Sequence, residues 1–198
     1  MIDMKNYLIK KLKTKANHQG FTLIETLVSI AILTTAILGP LFIAFQGVKL
    51  SYFARDQVIA LYLAQEGIEL ARLNIIANDN DGKQGSSLIF SGTSYDLSVC
   101  SALPTDTATY CYIDGFSNIK TSCPVAGCPY IKYDTVTGKY QYNTGDPTLF
   151  KRSIRIRHEG VAGATGDRDF QLESKVEWSH QGDPKEILLK EILVDWRP

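Results

Sequence analysis

The sequence predicts an α+β fold, a long N-terminal α-helix packed on a small antiparallel β-sheet domain. Three observations point to it. An uncharged apolar run from Thr26 to Phe45 passes without a break into an amphipathic helical pattern that lasts to about Ala77. The cluster Asn78-Asp79-Asn80-Asp81-Gly82 then ends that pattern with residues that favour turns. Beyond it, apolar and polar residues alternate with period two in several segments near the C-terminus.

Twenty consecutive residues, Thr26–Phe45, carry no charge. At a rise of ~1.5 Å per residue they extend about 30 Å, the thickness of a bilayer's hydrocarbon core. Phe21 to Ile24 lengthen the apolar stretch backwards, interrupted by Glu25. Past Gln46, a stripe of Leu50, Ala54, Gln57, Leu61, Ala64, Ile68, Ala71 and Ile75 predicts the face that meets a core. Lys49, Arg55, Asp56, Glu66, Glu69 and Arg72 fall mostly off it. Gly39-Pro40 predicts a kink or a locally unwound stretch, because proline lacks a backbone donor and crowds the preceding turn. The expected organisation is a leader over 1–20, a helix over 21–77 and an extracytoplasmic β-rich domain over 78–198.

Within that domain, Phe170, Leu172, Val176 and Trp178 alternate with Gln171, Glu173, Lys175 and Glu177, leaving Ser174 as the weak inward position. Residues 150–158 place Ile154 and Ile156 inward and Lys151, Arg155 and Arg157 outward. Pairing of these two strands would set the cations against Glu173 and Glu177, each pair contributing ~0.2–1 kcal/mol. A third strand is expected from Glu186 to Trp196. Tyr130–Asp134 and Lys139–Tyr142, around Thr135-Val136-Thr137-Gly138, read as a hairpin whose tyrosines alternate between core and face.

The 198 residues carry 21 basic and 21 acidic side chains, unevenly distributed. Lys5, Lys10, Lys11, Lys13 and Lys15 share residues 1–20 with a single acid, Asp3; what remains is 16 basic and 20 acidic groups. A basic head before an apolar helix predicts a cytoplasmic N-terminus, with the C-terminal part outside. The mildly acidic remainder gives no support for a nucleic-acid-binding surface. Cys100, Cys111, Cys123 and Cys128 all follow the apolar helix, and their even number favours disulfides. Nearest-neighbour pairing is the first choice of three connectivities. A tetrahedral zinc site is the competing reading, but the spacing lacks paired C-x2-C knuckles.

Gly20-Phe21-Thr22-Leu23-Ile24-Glu25, at the head of a membrane helix, resembles the type IV prepilin signal. The likeness is close over residues 20–38. That family includes major and minor pilins and the pseudopilins of type II secretion. The resemblance implies cleavage between Gly20 and Phe21 by a prepilin peptidase, which then methylates the new Phe21 amine. It also implies alignment of subunits through Glu25. A lone carboxylate in an apolar helix near the bilayer calls for a partner, and the freed amine of Phe21 is the nearest cation in sequence. Ala64-Gln65-Glu66-Gly67-Ile68-Glu69 and the closing Val176-Glu177-Trp178 and Asp195-Trp196-Arg197 resemble minor pilins more weakly. For Gly67 the plainer reading is a glycine that permits close packing.

The expectation is therefore a non-catalytic filament subunit of minor-pilin type, without cofactor. Its partners would be the peptidase/methyltransferase, other pilin subunits and, before assembly, the cytoplasmic membrane. A pseudopilin of a secretion or DNA-uptake machine is the alternative within the class. A membrane-tethered surface domain that never polymerises is the alternative outside it. Asp79-Asn80-Asp81-Gly82 fails as an EF-hand loop, since the template would put Ala77 and Leu88 at ligand positions. His18 leaves with the leader, and His158 and His180 would approach one another if their strands paired, without a nucleophile beside them.

Overall fold

The computed structural model describes residues 20–82, 92, 94–101, 110–158 and 170–193. The leader, the sequence after Leu193 with Trp196, and the Asp195-Trp196-Arg197 resemblance lie outside these residues. The chain divides into two compact units, residues 1–50 and 51–198.

Helix α1 runs from Leu23 to Asn80, slightly later at both ends than the sequence pattern predicts. In the first unit every residue from Gly20 to Leu50 is exposed. The threonines of this apolar run hide their own polarity. Thr26 donates to the Leu23 carbonyl at 2.8 Å and Thr34 to that of Ala31 at 2.9 Å, while Thr35 reaches the carbonyls of Ala31 and Ile32, each at 3.0 Å. The helix therefore presents hydrocarbon on all sides, as a lipid-spanning or helix-packed segment must. It passes through Gly39 and Pro40 as continuous α-helix. Pro40 removes one donor, and the bonds on either side suffice to carry the helix past it.

In the second unit α1 lies against an antiparallel sheet of seven strands. These are β1 (Cys111–Ile113), β2 (Lys120–Ser122), β3 (Tyr130–Asp134), β4 (Lys139–Gln141), β5 (Asp146–His158), β6 (Phe170–His180) and β7 (Asp183–Leu193). The central strand is β5. It pairs with β6 along one edge, and with β3 and then β1 along the other. The β5–β6 register sets Lys151 opposite Glu177 and Arg155 opposite Glu173, the pairing that the charge pattern predicts. Strand β7 completes that edge through a two-residue turn with positive φ at Gln181 (54°) and Gly182 (91°), the combination that suits the twist of a tight hairpin. The tyrosine-rich hairpin is present as β3–β4, with Tyr133 opposite Tyr140. The short strands β1 and β2 had no readable alternation.

Two apolar clusters fill the space between helix and sheet. One joins Ile68, Ala71 and Ile75 to Leu97, Ile113, Ile154, Ile156, Phe170 and Leu172. The other joins Ala60, Leu63 and Ala64 to Ile131, Phe150, Val176 and Trp178. The buried helical face differs from the predicted stripe at its start. Ala54 and Gln57 are exposed and Leu61 is partly so, whereas Asp56, Ala60 and Leu63 are buried. The predicted stripe has a seven-residue repeat, which drifts around a straight helix. The observed contacts at Asp56, Gly67 and Asn78 follow an eleven-residue repeat that stays on one side. At the far end, Asp81 donates to the Ala77 carbonyl (3.2 Å) and Gly82 to that of Asp79 (2.9 Å). Gly82 takes a φ of 78° that stops the helix in the predicted breaker cluster.

Candidate functional site

The head of α1 explains why Thr22 and Glu25 stand three residues apart. Thr22 precedes the first helical residue, and its hydroxyl accepts the backbone N–H of Glu25 at 3.3 Å. The Thr22 carbonyl accepts the N–H of Thr26 at 3.2 Å. This is an N-cap, with glutamate at the third helical position as in a capping box. Helix ends leave their first N–H groups without partners, and the helix dipole favours a carboxylate there. Glu25 is thus held in the first turn, four residues from Phe21. From Gly20 to Val48 the sequence contains no lysine, arginine or histidine. Phe21 is 76% exposed, and a Cβ added at Gly20 would meet nothing within 4 Å. The fold itself makes no demand for glycine at that junction. The N-cap went unread in the sequence, although the T-x-x-E spacing signals it.

Gly67 is the opposite case. Its added Cβ would lie 2.3 Å from the Ser174 hydroxyl oxygen and 3.0 Å from Arg152 Cδ. Helix and sheet approach here closely enough to exclude a side chain. The contact sits at the junction of the two apolar clusters on all three elements: between Ala64 and Ile68 on α1, between Phe150 and Ile154 on β5, and between Leu172 and Val176 on β6. Arg152, 2% exposed, fills it. Its guanidinium donates to Glu66 (2.8 Å), to the Leu63 carbonyl (3.2 Å) and to the Ile113 carbonyl (3.0 Å). One side chain thereby ties α1, β1 and β5 together. Sequence reading missed Arg152, though its parity with Ile154 and Ile156 places it inward. The Tyr142 ring lies 6.0 Å from the Arg152 guanidinium; burial raises its hydroxyl pKa, and the cation beside it opposes that shift.

On the other sheet face, Arg155 is more buried than its outward position implies. It donates to Glu173 at 2.9 Å, and the Tyr110 ring lies 4.9 Å from its guanidinium. Lys190 (2.8 Å) and Arg157 (3.7 Å) approach the same carboxylate, so Glu173 binds β5, β6 and β7. His158 and His180 are not neighbours. The antiparallel register pairs His158 with Phe170, ten positions along β6 from His180. His180 instead lies 3.8 Å from Asp56, a carboxylate that also accepts from Arg55 at 3.0 Å.

The cysteines are joined as Cys100–Cys111 and Cys123–Cys128, the nearest-neighbour arrangement, so no thiolate is left to form a zinc site. The first bridge fastens the 3₁₀ turn at Ser98–Cys100 to β1, and the second closes the loop between β2 and β3. Among the described residues no group of three His, Cys, Asp or Glu side chains is placed to hold a metal ion.

A capped, wholly exposed apolar helix whose continuation packs on a disulfide-linked antiparallel sheet fits a membrane-anchored pilin-type subunit. Residues 15–39 match the family model described as the prokaryotic N-terminal methylation motif, so the chain carries the signature of type IV pilins and pseudopilins. No curated protein and no solved structure matches the chain.

Proposed function

We propose that this chain is the precursor of a non-catalytic, minor-pilin-like subunit, cut between Gly20 and Phe21 and methylated on the Phe21 amine. The observation that carries the reading is the methylation motif at the head of a helix whose membrane-length apolar segment is entirely uncovered. Two details support it. Gly20 has no packing reason to be glycine, which leaves recognition by the peptidase as its role. The Thr22 cap holds Glu25 in the first turn, within reach of an N-terminal amine created at Phe21. The subunit waits in the cytoplasmic membrane with residues 78–198 outside. It then enters a filament with other pilin subunits through α1, its register set when Glu25 meets the amine of its own or a neighbouring chain. The test is Glu25→Ala, scored for processing and for recovery in sheared filaments. Processing should persist while incorporation falls at least about tenfold, equivalent to ~1.4 kcal/mol or more in assembly. Incorporation at the wild-type level would end the assignment.

A further inference from the structure

The second unit contains an open groove of about 690 Å³ where β3, β5 and β6 meet the disulfide-closed loop. Its wall is the Pro124–Gly127 turn, held by a 2.9 Å hydrogen bond from Gly127 to the Pro124 carbonyl and by the Cys123–Cys128 bridge. Tyr130, Lys151, Lys175, Glu177 and Ser179 supply its polar lining, and Val125 and Leu149 its exposed apolar surface.

The charges here do not pair as the register suggests. Lys151 stands directly opposite Glu177, yet the Glu177 carboxylate takes Lys175, on its own strand, at 3.0 Å. Lys151 is left with no carboxylate within ion-pair distance among the described residues. Its ammonium is held 4.5 Å from the centroid of the Tyr130 ring. A cation held in place by a ring and left without a counter-ion favours an incoming anion. Lys175 is already neutralised, so the groove offers one free positive charge and suits a carboxylate better than a phosphate dianion. Beside it, the half-exposed Glu177 carboxylate can accept hydroxyl donors, and the Tyr130 and Ser179 hydroxyls can donate or accept.

We infer that this groove binds a short acidic saccharide, its carboxylate on Lys151 and its hydroxyls on Glu177, Tyr130 and Ser179. A volume of 690 Å³ lies in the range of small-ligand sites and exceeds what one sugar ring fills.

The experiment titrates digalacturonate into the full-length chain in a detergent without sugar headgroups, read by calorimetry. Maltose and inorganic phosphate are titrated in parallel. Saturable digalacturonate binding is expected, with maltose and phosphate each at least about tenfold weaker. Lys151→Gln should weaken digalacturonate binding about tenfold or more, while Lys151→Arg retains it, with circular dichroism of both variants matching wild type. Absence of saturable binding, or binding that Lys151→Gln leaves unchanged, overturns the site. Equal binding of maltose overturns the carboxylate's role, and equal binding of phosphate overturns the saccharide assignment.

Discussion

The ion pair between Glu66 and Arg152 leads to an ordering that exposure alone would reverse. Glu66 is the more accessible partner, with 40% of its side chain exposed against 3% for Arg152. A rule based on exposure would make Arg152 the costlier residue to lose. Burial of the charge that remains decides otherwise. In Arg152→Met the stem is still filled, and Glu66 can turn to water. The Ile113 carbonyl loses its donor, at about 1–3 kcal/mol, while the Leu63 carbonyl lies within α1 and keeps its helical partner. The total should be about 2–3 kcal/mol. In Glu66→Ala a buried guanidinium keeps its two carbonyls but loses the one carboxylate that, among the described residues, contacts it. Stranding a buried charge in this way costs about 3–5 kcal/mol. For a domain of this size each kcal/mol shifts Tm by ~2–4 °C, so Glu66→Ala should melt roughly 6–20 °C below wild type, and below Arg152→Met. The double variant should melt close to Arg152→Met, because removing the cation removes the reason Glu66 matters. Thermal unfolding of the full-length chain in detergent, followed by near-ultraviolet circular dichroism, reads all four. A Glu66→Ala protein that melts within a few degrees of wild type, or above Arg152→Met, would show that Glu66 does not stabilise the buried guanidinium.

Two further outcomes follow from the same unit. Gly67→Ala should destabilise despite the better helix propensity of alanine, by about 1–2 kcal/mol net, because its Cβ meets Ser174 Oγ at 2.3 Å. Ser174→Gly should make the same alanine neutral or favourable, and a double-mutant cycle without coupling would show that the contact is not limiting. Asp96 concerns pH. Burial would raise its carboxyl, but hydrogen bonds from the Ser98 hydroxyl and from the N–H groups of Ser98 and Gly92, with the charge of Lys120, outweigh it, and the net shift is downward. A group lowered on folding contributes stability above its unfolded pKa, near 4, and loses it as pH falls through the folded value. Asp96→Asn should therefore reduce stability at neutral pH and flatten the acid limb of the melting profile; parallel limbs for wild type and variant would contradict this.

The legible parts of the fold were those with a strong local signal. The apolar run, the breaker cluster at Asn78–Gly82 and the alternation of Phe170–Trp178 each follow from backbone geometry and side-chain class within a few residues. The opposition of Lys151 to Glu177 and of Arg155 to Glu173 also followed once those strands were paired. What escaped was set by tertiary contact. Arg152 is a charged residue at a core position, tolerable only because Glu66 and two carbonyls converge on it from other elements. Asp56 is buried for a similar reason, with His180 arriving from the far end of β6. Glu177 pairs with Lys175 rather than Lys151, whose ammonium sits over the Tyr130 ring of another strand. At the head of α1 the motif pointed to processing, and its T-x-x-E spacing also encodes an N-cap that the structure brings out.

Cleavage of the bond between Gly20 and Phe21 is what separates a pilin-type subunit from a plain membrane anchor. Intact-mass and fragment-ion spectrometry of the protein recovered from native membranes reads it directly. The expected mature chain begins at N-methylated Phe21, lacks the lysine-rich leader, and retains both disulfides. A mature chain in which Phe21 remains internal, joined to Gly20, would contradict this.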